Sequence, residues 1–257
     1  RMEDVRVTNA DTQITSYSQP SYGSLTLASS GPAVRRAAHA CRQQLAALAA
    51  GVLGTEEKNI VFLSGRAVRP ASSRMPEDAV PIAKLVALSP QREILGMGER
   101  EGNPPKRSLK SYGVQFVAVD VDIETGGIAV AELVAVNDSG RIVNRLTFES
   151  QQLGGATMGL GMAMFEERVY DRETGRPLNP NLSDYKIPTI CDQPEILQAA
   201  GVEIPYDGNV LGSKGLGEPP IIPTAAAVAN AVHDALGVRM TRLPLSPKRV
   251  LDALYPA

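Results

Sequence analysis

The chain has 257 residues, 43% hydrophobic and 21% charged, with a formal net charge of −2. This is a globular composition, long enough for one large domain or two ordinary ones, and no apolar run reaches the roughly 18 residues of a membrane span. Near-neutral charge, with seven Tyr, four Phe and no Trp, gives neither an electrostatic nor a stacking basis for nucleic-acid binding.

The chain opens on Arg1 with no charged-then-apolar leader, so no secretory signal is expected, while a fragment or a processed chain is. Val5-Arg6-Val7 alternates like a short strand and leads into a hydroxyl-rich loop holding Ser16, Ser18, Ser21, Gly23 and Ser24. Small residues and hydroxyls at Gly23, Ser24 and Thr26 would let donors approach an anionic or heterocyclic ligand; a solvated turn has the same composition. Ser29-Ser30-Gly31-Pro32 reads as the cap of a helix over 33–50, stopped by Gly51 or Gly54. A strand over 59–63, a short helix over 82–88 and a polar loop over 96–111 follow. Alternating valines over 112–121, a Gly126-Gly127 turn and a return over 128–136 predict a long antiparallel hairpin.

Asp138-Ser139-Gly140-Arg141 makes a second turn, and 149–168 is predicted as a helix opening on Glu149-Ser150-Gln151-Gln152. Gly155 and Gly159, four apart on it, favour close packing of a neighbouring backbone; alternatively the helix start, with the Gln151 amide, faces a bound group. Helices over 225–236 and 248–254, the latter capped by Ser246-Pro247, end the chain. Cys41 and Cys191 are too far apart for a CxxC motif. His39 and His233 fall in Ala-rich helical stretches, where a Ser-His-Asp triad or a zinc-histidine site is hard to build.

The sharpest feature is Ser213-Lys214-Gly215-Leu216-Gly217-Glu218-Pro219-Pro220. Two glycines and two prolines set one carboxylate on a stiff, kinked backbone, the support needed by a base that must be aimed. An ordinary loop entering a helix near Ile222 is the plainer alternative.

Together with Gln151-Gln152-Leu153-Gly154-Gly155 and Tyr22-Gly23-Ser24-Leu25-Thr26, this stretch resembles the molybdenum hydroxylases of the xanthine dehydrogenase and aldehyde oxidase family. The similarity continues through Tyr112-Gly113, residues 136–141, Asn179-Pro180-Asn181 and Asp184-Tyr185-Lys186, in the order of the C-terminal part of that family's large subunit. The resemblance implies a molybdopterin cofactor, Glu218 as general base, and hydroxylation of an aldehyde or N-heterocycle. It also implies cofactor contacts from Tyr22, Gly23, Ser24, Thr26, Gln151, Lys214 and Gly215, those of Lys214 and Gly215 through the backbone, with no residue assigned as a metal ligand. Glu218 would have a pKa raised by burial. Electrons would leave through iron–sulfur clusters and FAD on other subunits or domains, and the remaining N-terminal part of the large subunit would complete the site.

The likeness leans towards bacterial aldehyde-oxidising members, hence towards the cytosine dinucleotide form of the cofactor. Arg145, where an Asn-Pro pair is common, and Leu153, where an acidic residue is common, depart from the pattern and leave the substrate open. The other reading is a non-catalytic cofactor-docking or assembly module, inactive without a partner polypeptide. The expected architecture is α+β, antiparallel hairpins with packed helices over 1–257 and sub-lobes 1–110 and 111–257. A cytoplasmic location is expected, with periplasmic export through a partner as the alternative.

Overall fold

The computed structural model describes residues 2–18, 20–69, 79–102 and 108–256. Two three-stranded sheets with packed helices make an α+β arrangement. The first half contributes α1 (Thr26–Leu53), β1 (Val61–Leu63), β2 (Arg66–Val68), β3 (Val80–Pro81) and α2 (Ile82–Leu88), its strands pairing antiparallel in that order. Small side chains at Ala46, Ala49 and Ala50 let α1 lie close to Ile60, Ala67, Val80 and Leu85, forming one buried cluster.

The second half contributes β4 (Tyr112–Val121), β5 (Ile128–Asp138), α3 (Arg145–Met164), β6 (Ile196–Gly201), α4 (Thr224–Leu236) and α5 (Pro247–Leu254). Period-two alternation sends Val117, Val119, Leu133 and Ala135 to one sheet face, where they meet Ala156, Leu160 and Ala163 of α3 and Val228 and Val232 of α4. Leu133 and Leu160, each 1% exposed or less, contribute roughly 1.5–3 kcal/mol apiece by burial. The other face carries Val114, Phe116 and Ile196, 48%, 64% and 43% exposed. Among the described residues no helix is long and apolar enough to cross a membrane.

Several expectations are corrected. β4 and β5 form the predicted hairpin, with a register shift at Ala118/Val119, but β6 pairs with β5 in parallel. The intervening helix α3 carries the chain back to the end where β5 began, so the next strand runs the same way. Helix α1 starts at Thr26, not after Pro32, because the left-handed pair Gly23 (φ 58°) and Ser24 (φ 57°) already turns the chain into it. Pro32 is absorbed inside the helix with the loss of one backbone hydrogen bond. Gly54, not Gly51, ends the helix, in the left-handed conformation. Helix α3 starts four residues before the predicted boundary because Asn144 caps it, its Oδ1 accepting from Thr147 N at 3.1 Å. Gln151 therefore lies in the second turn, not at the dipole end. The predicted strand over 59–63 narrows to β1, while the helix expected near Ile222 is α4, entered from a 3-10 turn at Pro219–Ile221.

Two devices pin the stretch 212–220 to this frame. Residues 212–214 lie against 139–141, with Arg141 N donating to Gly212 O (2.8 Å), Lys214 N to Ser139 O (2.7 Å), and a Gly140–Ser213 bridge. A Cβ at Gly140 (φ 68°) would overlap the Gly212 carbonyl. Lys214 Nζ then pairs with Asp138 Oδ2 at 2.5 Å, the two side chains 8% and 14% exposed. Burial alone would raise the Asp138 pKa, but the hydrogen bonds from Lys214 and from Gly140 N–H outweigh it and hold the carboxyl below its ordinary value of 3.8. On the other side Gly155 and Gly159 admit the following turn: a Cβ at Gly155 would lie 2.6 Å from Pro220 Cβ, and one at Gly159 would overlap Thr224.

Gly155→Ala is expected to destabilise the protein by roughly 1–3 kcal/mol through overpacking. Gly154→Ala, facing open space on the same helix, should stabilise it by up to about 1 kcal/mol. Urea unfolding of the two variants measures this, and stabilisation by both would show that the turn is not clamped. Because the folded pKa of Asp138 is depressed, its pairing stabilises fully above about pH 4 and is lost as pH falls through the folded value. The melting-temperature gap between wild type and Asp138→Asn should therefore be full at about pH 6 and narrow below about pH 4. A gap independent of pH would contradict this.

Candidate functional site

Three segments distant in sequence meet at the Glu218 turn. The backbone N–H of Glu218 donates to Ser24 Oγ at 2.7 Å, and the N–H of Gly23 donates to Glu218 Oε1 at 3.3 Å. The two turns thus exchange hydrogen bonds in both directions. The left-handed backbone at Gly23 and Ser24 presents that N–H and that hydroxyl to the same neighbour. Gly215 is small by necessity, since a Cβ there would sit 2.9 Å from Ser24 Cβ and 3.0 Å from Ser24 O. A Cβ on Gly217 would lie 3.3 Å from Gln151 Oε1 and 3.4 Å from Ser24 Oγ, which puts the α3 glutamine at the same spot. Ser111 Oγ, donating to Gly215 O at 2.5 Å, braces the loop from the start of β4.

Glu218 lines a cleft of about 370 Å³ with Gly23, Ser24, Ser111, Tyr112 and Gly215. Gln151 opens on an adjoining cleft of about 280 Å³ with Leu216, Lys214 and Asn144. Tyr22 and Thr26 fall in a third, hydroxyl-lined cleft of about 370 Å³ with Ser18, Ser29 and Ser30. The structure therefore brings Glu218, Gly23, Ser24, Gly215 and Gln151 together and sets Tyr22 and Thr26 one cleft away, with the Thr26 hydroxyl bonded to Ser21 Oγ.

Two expectations change. The N–H of Lys214 donates to Ser139 O and its ammonium pairs with Asp138, so the residue anchors the loop, while among the described residues its carbonyl and the remaining ammonium hydrogens stay open beside the Gln151 cleft. Glu218 is exposed within this chain rather than buried, on an open cleft lined from residues 23–25, 109–113 and 215–223. The anchoring residues Ser111 and Asp138 had no assigned role in the sequence: Asp138 belonged to a recognisable turn, and Ser111 carried no signal.

The lining suits an oxygen-rich, anionic group. Among the described residues the N–H groups of Gly215, Leu216 and Gly217 make no hydrogen bond, and neither does the Gln151 amide beside them. A row of free backbone donors next to a side-chain amide is the donor set that phosphate or metal-oxo oxygens require. No group of three or more His, Cys, Asp or Glu side chains among the described residues is placed to hold a bare metal ion.

Comparison with known proteins agrees with this chemistry. The family model of the molybdopterin cofactor-binding domain matches residues 1–194. The xanthine dehydrogenase molybdenum-binding subunit of Escherichia coli O157:H7 is 37% identical over 100% of this chain and 34% of its own length. The nicotine 6-hydroxylase large subunit of Paenarthrobacter nicotinovorans is 34% identical over 90% of this chain and 30% of its own length. Quinoline 2-oxidoreductase from Pseudomonas putida 86 superposes with a TM-score of 0.78 at 26% identity, over 91% of this chain and 30% of that one. The CO dehydrogenase of Oligotropha carboxidovorans shares the fold, with a TM-score of 0.81 at 24% identity over 98% and 32%. The chain spans about a third of the length of the curated relatives it matches. By the extent of the family match, and in keeping with the motifs of its sequence, the chain belongs to the molybdopterin cofactor-binding domain family of molybdenum hydroxylases.

Proposed function

We propose that this chain is the C-terminal, cofactor-embracing portion of a molybdenum hydroxylase large subunit, with Glu218 as general base in the oxidative hydroxylation of an aldehyde or N-heterocycle. The observation that carries this is the reciprocal pair of hydrogen bonds between the Glu218 and Ser24 turns, beside the unengaged amide of Gln151. Gly23 N–H holds Oε1, which leaves Oε2, without a protein partner among the described residues, to take a proton. The N–H groups of Gly215, Leu216 and Gly217 would hold the pterin or ligand oxygens near the metal. The amide of Gln151 would reach those ligands from α3, and the backbone of Tyr22 and the hydroxyl of Thr26 would serve more peripheral parts of the cofactor. When bound, the cofactor supplies the two-electron redox chemistry.

The exposure of Glu218 and the exposed apolar sheet face at Val114, Phe116 and Ile196 support an N-terminal remainder of the large subunit that covers them. That cover would bury Glu218 and exclude water from it. The two buried clusters, one on either side of residue 110, support sub-lobes 1–110 and 111–257. Iron–sulfur and FAD subunits as electron acceptors, the cytosine dinucleotide form of the cofactor and a cytoplasmic location complete the proposal. The same exposure of Glu218 favours a chain that docks the cofactor yet turns over only when joined to its remainder.

In the complete enzyme, Glu218→Gln should keep its molybdenum content and lose roughly 10²- to 10⁴-fold in kcat. Metal analysis with steady-state kinetics decides it. A rate within about threefold of wild type would remove Glu218 from the chemistry.

A further inference from the structure

The turn that carries Glu218 is held from behind by a residue that the proposed chemistry does not use. Gln115 lies on β4, 7% exposed, on the sheet face that packs against the helices. It donates Nε2 to the carbonyl of Pro220 at 2.6 Å. Pro219 and Pro220 have no N–H, so within the tripeptide 218–220 the only backbone donor is that of Glu218, already held by Ser24 Oγ. One side chain fixes the front of the tripeptide and Gln115 fixes its back, with Gly155 giving the proline ring room between them.

Gln115 makes this bond in a way that does not favour stability. Its other amide atom, Oε1, is buried and has no hydrogen-bond partner among the described residues. A buried amide with an unmet acceptor costs the folded state, and a methionine of similar length would fill the space without a stranded oxygen. The long bond from Thr224 Oγ1 to Pro220 O, at 3.5 Å, would still give that carbonyl a partner. Elsewhere in the same half Asn137 and Gln152, 1% and 0% exposed, also bury amide atoms without partners among the described residues. A buried bond kept with an unmet acceptor is the arrangement expected where alignment is favoured over stability.

We propose that Gln115 is a positioning residue for Glu218: by gripping Pro220 it sets the direction in which the carboxylate points into the cleft. This rests on the general-base reading above. The cost of losing the grip falls on the alignment of Oε2 with the proton it accepts, and a misplacement of about 1 Å in such a group lowers turnover by up to about 10²-fold.

The test compares Gln115→Met, Gln115→Glu and Glu218→Gln in the complete enzyme. Gln115→Met should lower kcat roughly ten- to a hundredfold, with KM and molybdenum content within about twofold of wild type. Amide hydrogen exchange should quicken at Ile221 and Ile222, whose N–H groups close the turn on Glu218 O and Pro219 O, whether or not the cofactor turns over. The carboxyl introduced by Gln115→Glu donates to Pro220 only when protonated, so its kcat relative to wild type should fall as pH rises. Wild-type kcat and exchange in Gln115→Met, with turnover lost in Glu218→Gln, overturns the positioning role and leaves the general base standing. Lost molybdenum or a raised KM in Gln115→Met makes the residue structural and overturns the proposal. Full activity in Glu218→Gln overturns both.

Discussion

A carboxylate on a proline-bounded turn points in one direction only if the turn is held from both sides, and here the hold comes from residues far away in sequence. The Glu218 N–H bonds to a hydroxyl 194 residues earlier, and the Pro220 carbonyl bonds to an amide 105 residues earlier. Two prolines stiffen the backbone but also remove its donors, so beyond the N–H groups of Ile221 and Ile222 that close the turn, its hold comes from the side chains of Ser24 and Gln115. Glycines at 155, 159 and 215 follow from the same constraint, since each lies where the turn or its partner leaves no room for a Cβ. The buried Lys214–Asp138 pair fixes the base of the loop and makes it sensitive to acid.

The sequence shows the parts of this arrangement that are local. Alternating valines and a Gly126-Gly127 turn specify the hairpin, and the helix over 82–88 is found where its apolar pattern places it. The convergence of Ser24, Gln151 and Glu218 was implied only by family resemblance, because no periodicity relates three loops so far apart. What misled were capping signals with more than one use. Ser29-Ser30-Gly31-Pro32 has the composition of a helix start, but a left-handed turn at Gly23-Ser24 had already begun the helix. Asn144 is the true cap of α3, and its bond to Thr147 N shifts Gln151 away from the helix end. β6 was missed because Ile196–Gly201 has little of the alternation that marks a strand; parallel pairing beside β5 makes it one. Gln115, in the middle of a valine-rich strand, reads as an ordinary polar position until its partner across the sheet is known.

Exposure of Glu218 and of the outer face of the β4–β5–β6 sheet has one physical reading when the relatives are about three times as long as this chain. An exposed carboxylate and an uncovered apolar sheet face fit the proposed N-terminal remainder that would cover them. Burial of the carboxylate would then remove water from the reacting centre.

On the proposed reading the unbonded donors of 215–217, the Gln151 amide and the Glu218 carboxylate surround one cofactor. Anomalous diffraction at the molybdenum edge, from crystals of the complete large subunit, tests it most directly. The metal should lie in the cleft between Gln151 and Glu218, with one of its ligands within about 3 Å of Glu218 Oε2, directly or through one water. Molybdenum bound elsewhere on the subunit, with Glu218 facing bulk solvent, would contradict the account.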